Sequence, residues 1–277
     1  MPNEKPQTPR ISGISSKPIH KVQGERFFAV DDDMVVEEPL EIIIGGLPYA
    51  VTMRLPGDDI HLGAGFCLSE GLVSGPGELT AIELCAHDPN KLSIELAPTP
   101  QSRTLSRDRG SEFLSRSSCG LCGRDRLDEL FTDIPPVTGN TEVSAAEILR
   151  WKADFETRKE IFPLTGGAHS AAVYDQHGGC LGFAEDVGRH NALDKAAGRV
   201  LLGGNRDRAY LALVSSRLSF EMVQKAAALG VQVLAGVSAA TTLAAEYAAS
   251  CNLTLIGFLR RGRMNIYTRP DRVTFPG

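Results

Sequence analysis

Two kinds of hydrophobic pattern divide the chain. Residues before about 100 contain short runs in which apolar and polar positions alternate, a period-two pattern that is typical of β-strands. The predicted strands are 25–31, 40–44, 48–54, 80–86 and 91–96. Apolar positions at helical spacing predict one helix over 58–73, and turn-forming residues predict turns at 45–46 and 88–90. The first half is therefore predicted to be β-rich.

From about residue 144 onward, the pattern predicts helices and strands in alternation. The expected helices are 144–160, 189–202, 218–229 and 239–249. The expected strands are 169–175, 180–185, 209–215, 231–236, 253–258 and 264–268. Three of these, at 209–215, 231–236 and 253–258, are apolar almost throughout, as parallel strands covered on both faces are. The predicted fold class is α/β, with a three-layer main domain and a β-rich N-terminal subdomain.

Shifts in composition define the predicted domain boundaries. Residues 1–19 are rich in Pro, Ser and Lys and are predicted to form a disordered tail. Residues 20–140 form the predicted β-rich subdomain, which includes a segment without periodicity over about 97–123. Long structureless loops inside compact domains are often functional, so this segment is predicted to be a mobile loop. Residues 141–277 form the predicted α/β domain.

The overall composition is that of an ordinary globular protein with a sizeable core. Of the 277 residues, 42% are apolar and 23% are charged, and the formal net charge is −5. A negative charge argues against generic nucleic-acid binding, which needs a basic surface. No apolar run approaches the roughly 18 residues that span a membrane. We therefore expect a cytoplasmic protein without nucleic-acid or membrane partners, whose scattered single cysteines are reduced.

The run Ser117–Gly123 contains the most distinctive chemistry in the sequence. Cys119 and Cys122 are three positions apart, a glycine follows each, and six arginines lie between residues 103 and 126. A zinc site or an iron–sulfur cluster needs further ligands at suitable spacing, and the sequence has no second pair of this kind. A thioredoxin-type redox pair would follow a strand and open a helix, whereas a Ser/Arg-rich segment precedes this one. No metal site is therefore predicted.

The surroundings of the two thiols favour a sulfur carrier, in which a cysteine accepts a sulfane sulfur as a persulfide. The reacting species is a thiolate, and a free cysteine at pH 7 is only a few per cent ionised. Arg116 and Arg124 would favour the anion, and lowering the pKa by two units requires about 2.7 kcal/mol. The glycines leave the sulfur accessible, and a mobile loop would let one thiol meet a donor protein and then an acceptor.

Polar residues also follow the predicted strands of the second half. Ligands of open α/β sheets bind at the carboxyl ends of the strands, where helix N-termini present free N–H groups. Four candidate loops contain hydroxyl groups or arginines, which bind phosphate or carboxylate: 186–190, 215–217, 237–242 and 258–263. Serine and threonine at such positions also cap helices in any α/β protein, so a structural role for each loop stays open.

The last of these loops is the most basic. Arg260, Arg261 and Arg263 lie within four residues and repel one another unless an anion binds among them or they face solvent. His169 and His190 are candidates for orienting a ligand or transferring a proton. Each could equally be a hydrogen-bonded residue of the fold, so the roles of both histidines stay open.

Several motifs occur in a defined order along the chain. They are Glu37-Glu38-Pro39-Leu40, Leu68-Ser69-Glu70-Gly71, Ser117-Ser118-Cys119-Gly120-Leu121-Cys122-Gly123, Thr165-Gly166-Gly167-Ala168-His169, Glu185-Asp186-Val187-Gly188-Arg189-His190-Asn191-Ala192-Leu193-Asp194-Lys195 and Ser215-Ser216-Arg217. Together they resemble FdhD, a family of sulfur-carrier accessory proteins of formate dehydrogenase. The resemblance runs from about residue 20 to the C-terminus and is far more specific than the cysteine pair alone.

The resemblance implies a function and its residues. Members of the family take sulfur from a cysteine desulfurase as a persulfide. They deliver it to the molybdenum (or tungsten) cofactor, in its bis(molybdopterin guanine dinucleotide) form, before its insertion into formate dehydrogenase. Cys119 matches the persulfide-bearing cysteine, and Cys122 matches its partner. The matching cofactor-binding residues are Phe258, Leu259, Arg260, Arg261, Gly262 and Arg263.

The resemblance also implies a fold and an assembly. The family's main domain is similar to the cytidine-deaminase fold, and its members form homodimers. The deaminase zinc signature, His-x-Glu with Pro-Cys-x-x-Cys, is absent from this sequence, so we expect the fold to be shared without the deaminase chemistry. The expected bound acceptor is the molybdenum cofactor, and we expect no permanently bound metal of the protein's own. We therefore expect a sulfurtransferase, with a non-catalytic chaperone that binds the cofactor and a redox CxxC protein as the alternatives.

Overall fold

The computed structural model describes residues 12–98 and 134–275. The cysteine motif, with Cys119 and Cys122, lies outside the described residues. Within the described ranges the protein is a mixed α/β structure, as the sequence predicts, and it contains several sheets and six α-helices. The cytidine-deaminase-like arrangement of its layers stays a prediction.

The first part of the chain forms a long hairpin and a four-stranded sheet. Its elements are β1 (Ile14–Gln23), β2 (Arg26–Val35), β3 (Glu38–Ile44), β4 (Leu47–Arg54), α1 (Asp59–Ser69), β5 (Leu79–Cys85) and β6 (Asp88–Leu96). Among the described strands, β1 and β2 pair with each other alone, and the others lie in the order β4-β3-β6-β5. The β-rich character expected of this part is therefore observed.

The predicted tail was too long at its C-terminal end. Ile14 already begins β1, although the sequence analysis assigned residues 1–19 to disorder. Residues 14–23 pair in continuous register with 26–35, and the backbone hydrogen bonds of this pairing order a segment whose composition is typical of a tail. Composition alone does not reveal a pairing partner.

The second hairpin turns earlier than predicted. The turn was expected at 88–90, but β6 already begins at residue 88 and the two-residue turn lies at 86–87. Arg54 explains the difference, because its guanidinium donates to the carbonyl of Pro89 at 3.3 Å and to the side-chain oxygen of Asn90 at 3.0 Å. A contact from another strand thus overrides the local preference of a turn-forming tripeptide.

The second part of the chain alternates between helices and strands. Its elements are β7 (Val143–Ser144), α2 (Ala145–Thr157), α3 (Phe162–Thr165), β8 (His169–Tyr174), β9 (Cys180–Asp186), α4 (Arg189–Leu202), β10 (Leu211–Val214), α5 (Phe220–Leu229), β11 (Val233–Gly236), α6 (Thr242–Ser250), β12 (Thr254–Arg260), β13 (Arg263–Ile266) and β14 (Val273–Thr274). Most bounds lie within three residues of the predicted ones, and α4 has the predicted bounds.

A six-stranded sheet forms the body of this part, with the order β13-β12-β11-β10-β8-β9. The strands β10, β11 and β12 are parallel, as their apolar sequences predict. The strands β8, β9 and β13 run antiparallel to their neighbours. We call this the central sheet, and its three parallel strands define a carboxyl edge at which their loops emerge.

Side chains of the central sheet alternate between two hydrophobic clusters. On one face, Ala171 and Val173 of β8 pack in a cluster that also contains residues of α1, α4, α5 and α6. On the other face, Ala172 and Tyr174 pack against α2, where the rings of Tyr174 and Trp151 stack at a centroid distance of 6.0 Å. Helices therefore cover both faces, which explains why the strands are apolar throughout.

Helices α1 and α4 cross closely and bring the two parts of the chain together. Gly65 of α1 lies against the backbone of Asp194, and Gly198 of α4 lies against the backbone carbonyl of His61. A Cβ atom at either glycine would overlap the opposing backbone. The larger cluster extends from Leu40 of β3 across this crossing to the central sheet, so the two parts share a core.

A buried arginine lies at the opposite edge of the central sheet, where β11 and β12 begin. Arg272 is fully buried and precedes β14, which pairs with β7. Its guanidinium donates to the backbone carbonyls of Asn252 at 2.6 Å, Gly139 at 2.8 Å and Gln232 at 3.4 Å. Arg272 thus joins three segments that are far apart in the sequence.

Candidate functional site

The four polar loops predicted from the sequence meet at the carboxyl edge of the central sheet. The strands β10, β11 and β12 end there, β8 begins there at His169, and β9 ends beside it. The loops after β10 and β11 are joined by a bridge between Leu218 and Ala240. The amide of Phe258 donates to the carbonyl of Ser238 at 2.9 Å, which joins the loop after β11 to β12. This edge is therefore the candidate site.

A histidine and a serine from different strands lie together at this edge. The Ser215 hydroxyl accepts a hydrogen bond from the amide of Ser170 at 2.9 Å and lies 3.4 Å from Nδ1 of His169. Burial lowers the pKa of His169, and the positive charge of Arg189 lowers it further. The imidazole is therefore neutral at pH 7, with one ring nitrogen able to donate a hydrogen bond and the other able to accept one.

The second candidate histidine has a carboxylate partner that the sequence does not reveal. His190 lies in the first turn of α4, and its Nε2 atom is 2.6 Å from Oε2 of Glu221 in the first turn of α5. The two side chains are only 10% and 11% exposed. Because both helices begin at the carboxyl edge, this pair fixes their N-termini relative to each other.

The basic turn joins β12 to β13 through an irregular backbone. Phe258 and Arg261 have positive φ angles of 51° and 52°, and the strand pairing shifts register between Gly257 and Arg260. Positive φ is uncommon outside glycine, and such residues cluster at functional sites. Gly262, with a φ of 72°, completes the turn without the steric cost that a side chain would add.

The arginines of this turn are exposed and have no acidic partner in the part of the chain that the structure describes. The guanidinium carbon of Arg260 lies 5.6 Å from the centre of the Phe258 ring, and Arg261 and Arg263 extend from the turn itself. Leu259 differs from its neighbours because its side chain is fully buried in the core. A ligand could therefore contact Leu259 only through its backbone. The turn therefore places at the carboxyl edge positive charge that no acidic side chain of residues 12–98 or 134–275 pairs with.

Two other loops add an arginine to the same edge. Arg189 follows Gly188, the N-cap of α4, and Arg217 is exposed between β10 and α5. Adjacent strands lie about 4.8 Å apart, so the three intervals from β8 to β12 span about 14 Å. The loops that follow these strands therefore form a row that is longer than a single phosphate group and comparable in length with a nucleotide. Its hydroxyls, amides and guanidiniums are groups that bind a phosphorylated ligand.

A groove along the free edge of β9 has a different charge balance. Its lining includes Arg158, Arg199 and Lys195, but each is paired: with Asp154, Asp58 and Asp186, respectively. Among the described residues that line the groove, the pairing leaves no surplus positive charge of the kind found at the basic turn. The carboxyl edge is therefore the stronger candidate for binding an anion.

Several residues of the sequence motifs form buried ion pairs, which the sequence analysis missed. Lys225 donates to the two carboxylate oxygens of Asp194 at 2.9 and 2.7 Å and lies 2.9 Å from the Ser69 hydroxyl. Lys195 lies 2.7 Å from a carboxylate oxygen of Asp186. The first set of contacts joins α4 to α1 and α5, and the second joins α4 to the end of β9. Charged residues on otherwise apolar helix faces were the available signal, because such residues are rarely buried unless paired.

Two of the described cysteines are in environments that disfavour a thiolate. Cys67 is buried, and burial raises the pKa of its thiol to about 12. Burial also raises the pKa of Cys180. Because sulfur transfer requires a thiolate, neither residue suits a sulfur carrier. The assignment of Cys119 and Cys122 concerns residues outside the described ranges and stays a prediction.

Metal and membrane features are absent from the described ranges. Residues 12–98 and 134–275 contain no group of three or more His, Cys, Asp or Glu side chains placed to hold a metal ion. The same ranges contain no helix with both the length and the apolar character needed to cross a membrane.

Comparison with known sequences gives a consistent family. The model of the FdhD/NarQ family matches residues 35–274. The chain is 42% identical over 258 residues to the sulfur carrier protein FdhD of Streptomyces coelicolor, a match that covers 87% of this chain and 89% of that protein. It is 37% identical over 273 residues to the protein of the same name from Mycobacterium tuberculosis, covering 92% of this chain and 97% of that protein.

A solved structure shares the fold. It is the crystal structure of a protein from Desulfotalea psychrophila described as a formate dehydrogenase accessory protein. The TM-score is 0.74, and the match covers 94% of this chain and 99% of that chain. The two sequences are 22% identical, so this likeness shows the fold alone.

Proposed function

The chain belongs to the FdhD/NarQ family, and from this membership we propose that it is a sulfur carrier for the maturation of a formate dehydrogenase. In the proposed reaction, Cys119 accepts sulfur from a cysteine desulfurase as a persulfide. The sulfur then passes to the molybdenum or tungsten cofactor, bis(molybdopterin guanine dinucleotide), before that cofactor enters formate dehydrogenase. A cytoplasmic location, the two protein partners and a homodimeric state are parts of the proposal that rest on the family resemblance.

Loading of the carrier is a transfer between thiolates. The Cys119 thiolate attacks the terminal sulfur of the donor persulfide, a new S–S bond forms on Cys119, and the donor cysteine leaves as a thiolate. No external oxidant or reductant is consumed in this step, because the sulfane sulfur keeps its oxidation state. The proposed role of Cys122 is to assist the onward transfer or to resolve the persulfide.

The exposed basic turn is the observation that supports cofactor binding. Three guanidiniums without acidic partners among the described residues lie where an α/β sheet ordinarily binds its ligand. Charge-assisted hydrogen bonds contribute about 1.5–3 kcal/mol each. Three of them would give about micromolar affinity, near −8 kcal/mol, for a diphosphate group. Local charge at this edge therefore permits anion binding by a protein whose net charge is −5.

A labelling experiment separates the sulfur carrier from a cofactor-binding chaperone. The protein is incubated with a cysteine desulfurase and cysteine that contains labelled sulfur, and the label bound to the protein is measured after non-reducing separation. We expect Cys119→Ala to lose the label and Cys67→Ala to keep it, because the Cys67 thiol is buried and protonated. Retention of the label by Cys119→Ala would overturn the carrier assignment.

The redox alternative makes a different prediction for the second cysteine. A redox pair would cycle readily through a Cys119–Cys122 disulfide, so loss of Cys122 would abolish function as completely as loss of Cys119. The carrier proposal expects Cys122→Ala still to accept labelled sulfur. Mass spectrometry of protein purified without reductant gives a second measurement, with an added mass of one sulfur atom expected on Cys119.

A further inference from the structure

The first turn of α5 holds a buried carboxylate oxygen that lacks a hydrogen-bond donor. Glu221 is 8% exposed, and its Oε2 atom lies 2.6 Å from Nε2 of His190. Its other oxygen, Oε1, is buried and accepts no hydrogen bond from residues 12–98 or 134–275. A buried acceptor without a donor costs free energy, and the cost is larger when the acceptor belongs to a charged group. Such an oxygen therefore points to a donor that a bound group supplies.

Two further buried atoms at the starts of α4 and α5 have no partner among the described residues. They are Oγ of Ser219, which is the N-cap of α5, and Nε of Arg189, which is the first residue of α4. The positive charges of Arg189 and His190 both lower the pKa of His169, so β8 begins beside these helix starts. The two helix starts therefore present hydrogen-bonding capacity that the described part of the fold does not use.

The spacing of the strands separates the start of α5 from the basic turn by about the length of a nucleotide. α5 follows β10, and the basic turn follows β12, which lies two strands away in the central sheet. Two intervals between adjacent strands amount to about 10 Å. An extended nucleotide whose diphosphate group lies on the basic turn therefore brings its base to the start of α5.

The hydrogen-bonding edges of the bases decide which base suits Glu221. A carboxylate only accepts hydrogen bonds, and each of its oxygens has two lone pairs, so Oε2 can accept a further bond beside its contact with His190. Guanine presents two adjacent donors, the ring N1–H and the exocyclic amino group. Adenine presents a lone pair at N1 instead, which would face the carboxylate unfavourably. Hypoxanthine keeps the N1–H donor but lacks the exocyclic amino group.

We propose that Glu221 is the residue that selects guanine, because its carboxylate accepts hydrogen bonds from N1–H and from the exocyclic amino group of the base. The inference rests on the proposed function, since it takes the ligand to be a guanine nucleotide whose diphosphate group contacts the basic turn. It adds a base-recognition site on α5 to the phosphate-binding turn after β12. The two sites divide the work, because α5 distinguishes the base and the turn supplies charge that suits any nucleoside diphosphate.

Calorimetry of the full-length protein with three nucleoside diphosphates tests the proposal. We expect the wild type to bind guanosine diphosphate at least about tenfold more tightly than inosine diphosphate, because hypoxanthine forms one charge-assisted hydrogen bond fewer. Adenosine diphosphate is expected to bind more weakly still. Glu221→Gln keeps the size of the side chain but replaces one acceptor with a donor, so it is expected to lose the preference for guanosine over inosine diphosphate. The matched control is Glu246→Gln, an exposed position on α6, which is expected to keep that preference.

Inorganic pyrophosphate separates the base site from the basic turn. Glu221→Gln is expected to bind pyrophosphate like the wild type, which also shows that the variant is folded. Arg260→Ala with Arg263→Ala is expected to bind pyrophosphate more weakly and yet to keep the wild-type preference for guanosine over inosine diphosphate. A wild type that binds none of these anions would overturn the anion site and this inference together. Equal affinity of the wild type for guanosine and inosine diphosphate, or an unchanged preference in Glu221→Gln, would overturn the base site alone.

Discussion

The buried pair of Lys225 and Asp194 determines a large part of the stability around α4. Asp194 is 2% exposed, and its carboxylate is held by two contacts to Lys225 and one to the Ser69 hydroxyl. Lys225→Met keeps a long side chain and removes the cation, which leaves a buried carboxylate with a single neutral donor. Removing one partner of a buried ion pair costs about 3–5 kcal/mol. We expect Lys225→Met to lose about this much free energy of unfolding.

The expected loss depends on pH. Burial raises the pKa of Asp194, and Lys225 opposes that rise. Without Lys225, the folded-state pKa of Asp194 rises further above its unfolded value, so the folded variant favours the protonated carboxyl. A group with a raised folded pKa loses stability as the pH rises from its unfolded pKa through its folded pKa. The deficit of Lys225→Met is therefore expected to be smaller at pH 5 than at pH 8.

Urea unfolding measures this prediction. Trp151 is the single tryptophan and is buried, so its fluorescence follows the unfolding of the core. The matched control is Lys91→Met, which removes an ion pair with Glu41 whose side chains are 44% and 28% exposed, and it is expected to cost less than about 1 kcal/mol. Adding Asp194→Asn to Lys225→Met removes the buried charge and is expected to recover part of the loss. A loss no larger than that of the control would refute the reasoning.

Three further predictions concern the site and the helix crossing. Arg260→Ala with Arg263→Ala is expected to weaken binding of guanosine diphosphate by at least about a hundredfold in calorimetry, because two charge-assisted contacts are lost; equal affinity would contradict the anion site. The pKa of His169, followed by NMR, is expected to lie below the ordinary value for histidine and to rise in Arg189→Gln, because burial and Arg189 both lower it; an unchanged pKa would exclude the contribution of Arg189. Gly65→Ala is expected to destabilise the protein by at least about 1–3 kcal/mol in urea unfolding, because a Cβ would overlap the backbone of α4, whereas Gly77→Ala, which meets no neighbour, should be close to neutral.

The fold was predictable where a local pattern determines the structure. The apolar strand at 231–236 and the helix at 189–202 are specified by their own residues, and the structure places them within two residues of the prediction. The strand at Ile14 was missed because its partner β2, rather than its composition, orders it. The turn near Pro89 was also misplaced, because the contact at this segment comes from another strand: Arg54 donates a hydrogen bond to the Pro89 carbonyl.

The parts of the candidate site that depend on a local pattern were likewise predictable, and the parts that depend on helix packing were not. The basic turn is a local excess of charge, and the carboxyl-edge rule brings its neighbouring loops together once the strands are known to be parallel. The partnership of His190 with Glu221, and that of Asp194 with Lys225, depend on how α4 and α5 pack, which no local pattern records. Motif residues such as Asp194 therefore resembled functional residues although their observed contacts stabilise the fold.

The buried guanidinium of Arg272 has a consequence for biosynthesis. It binds carbonyls next to the starts of β11 and β12, and β14 immediately after it pairs with β7. A nascent chain that has left the ribosome only through β12 has made every parallel strand of the central sheet but lacks these contacts. Completion of the body is therefore a late event in translation, and a premature stop codon just before residue 272 should yield protein that cellular proteases recognise and degrade.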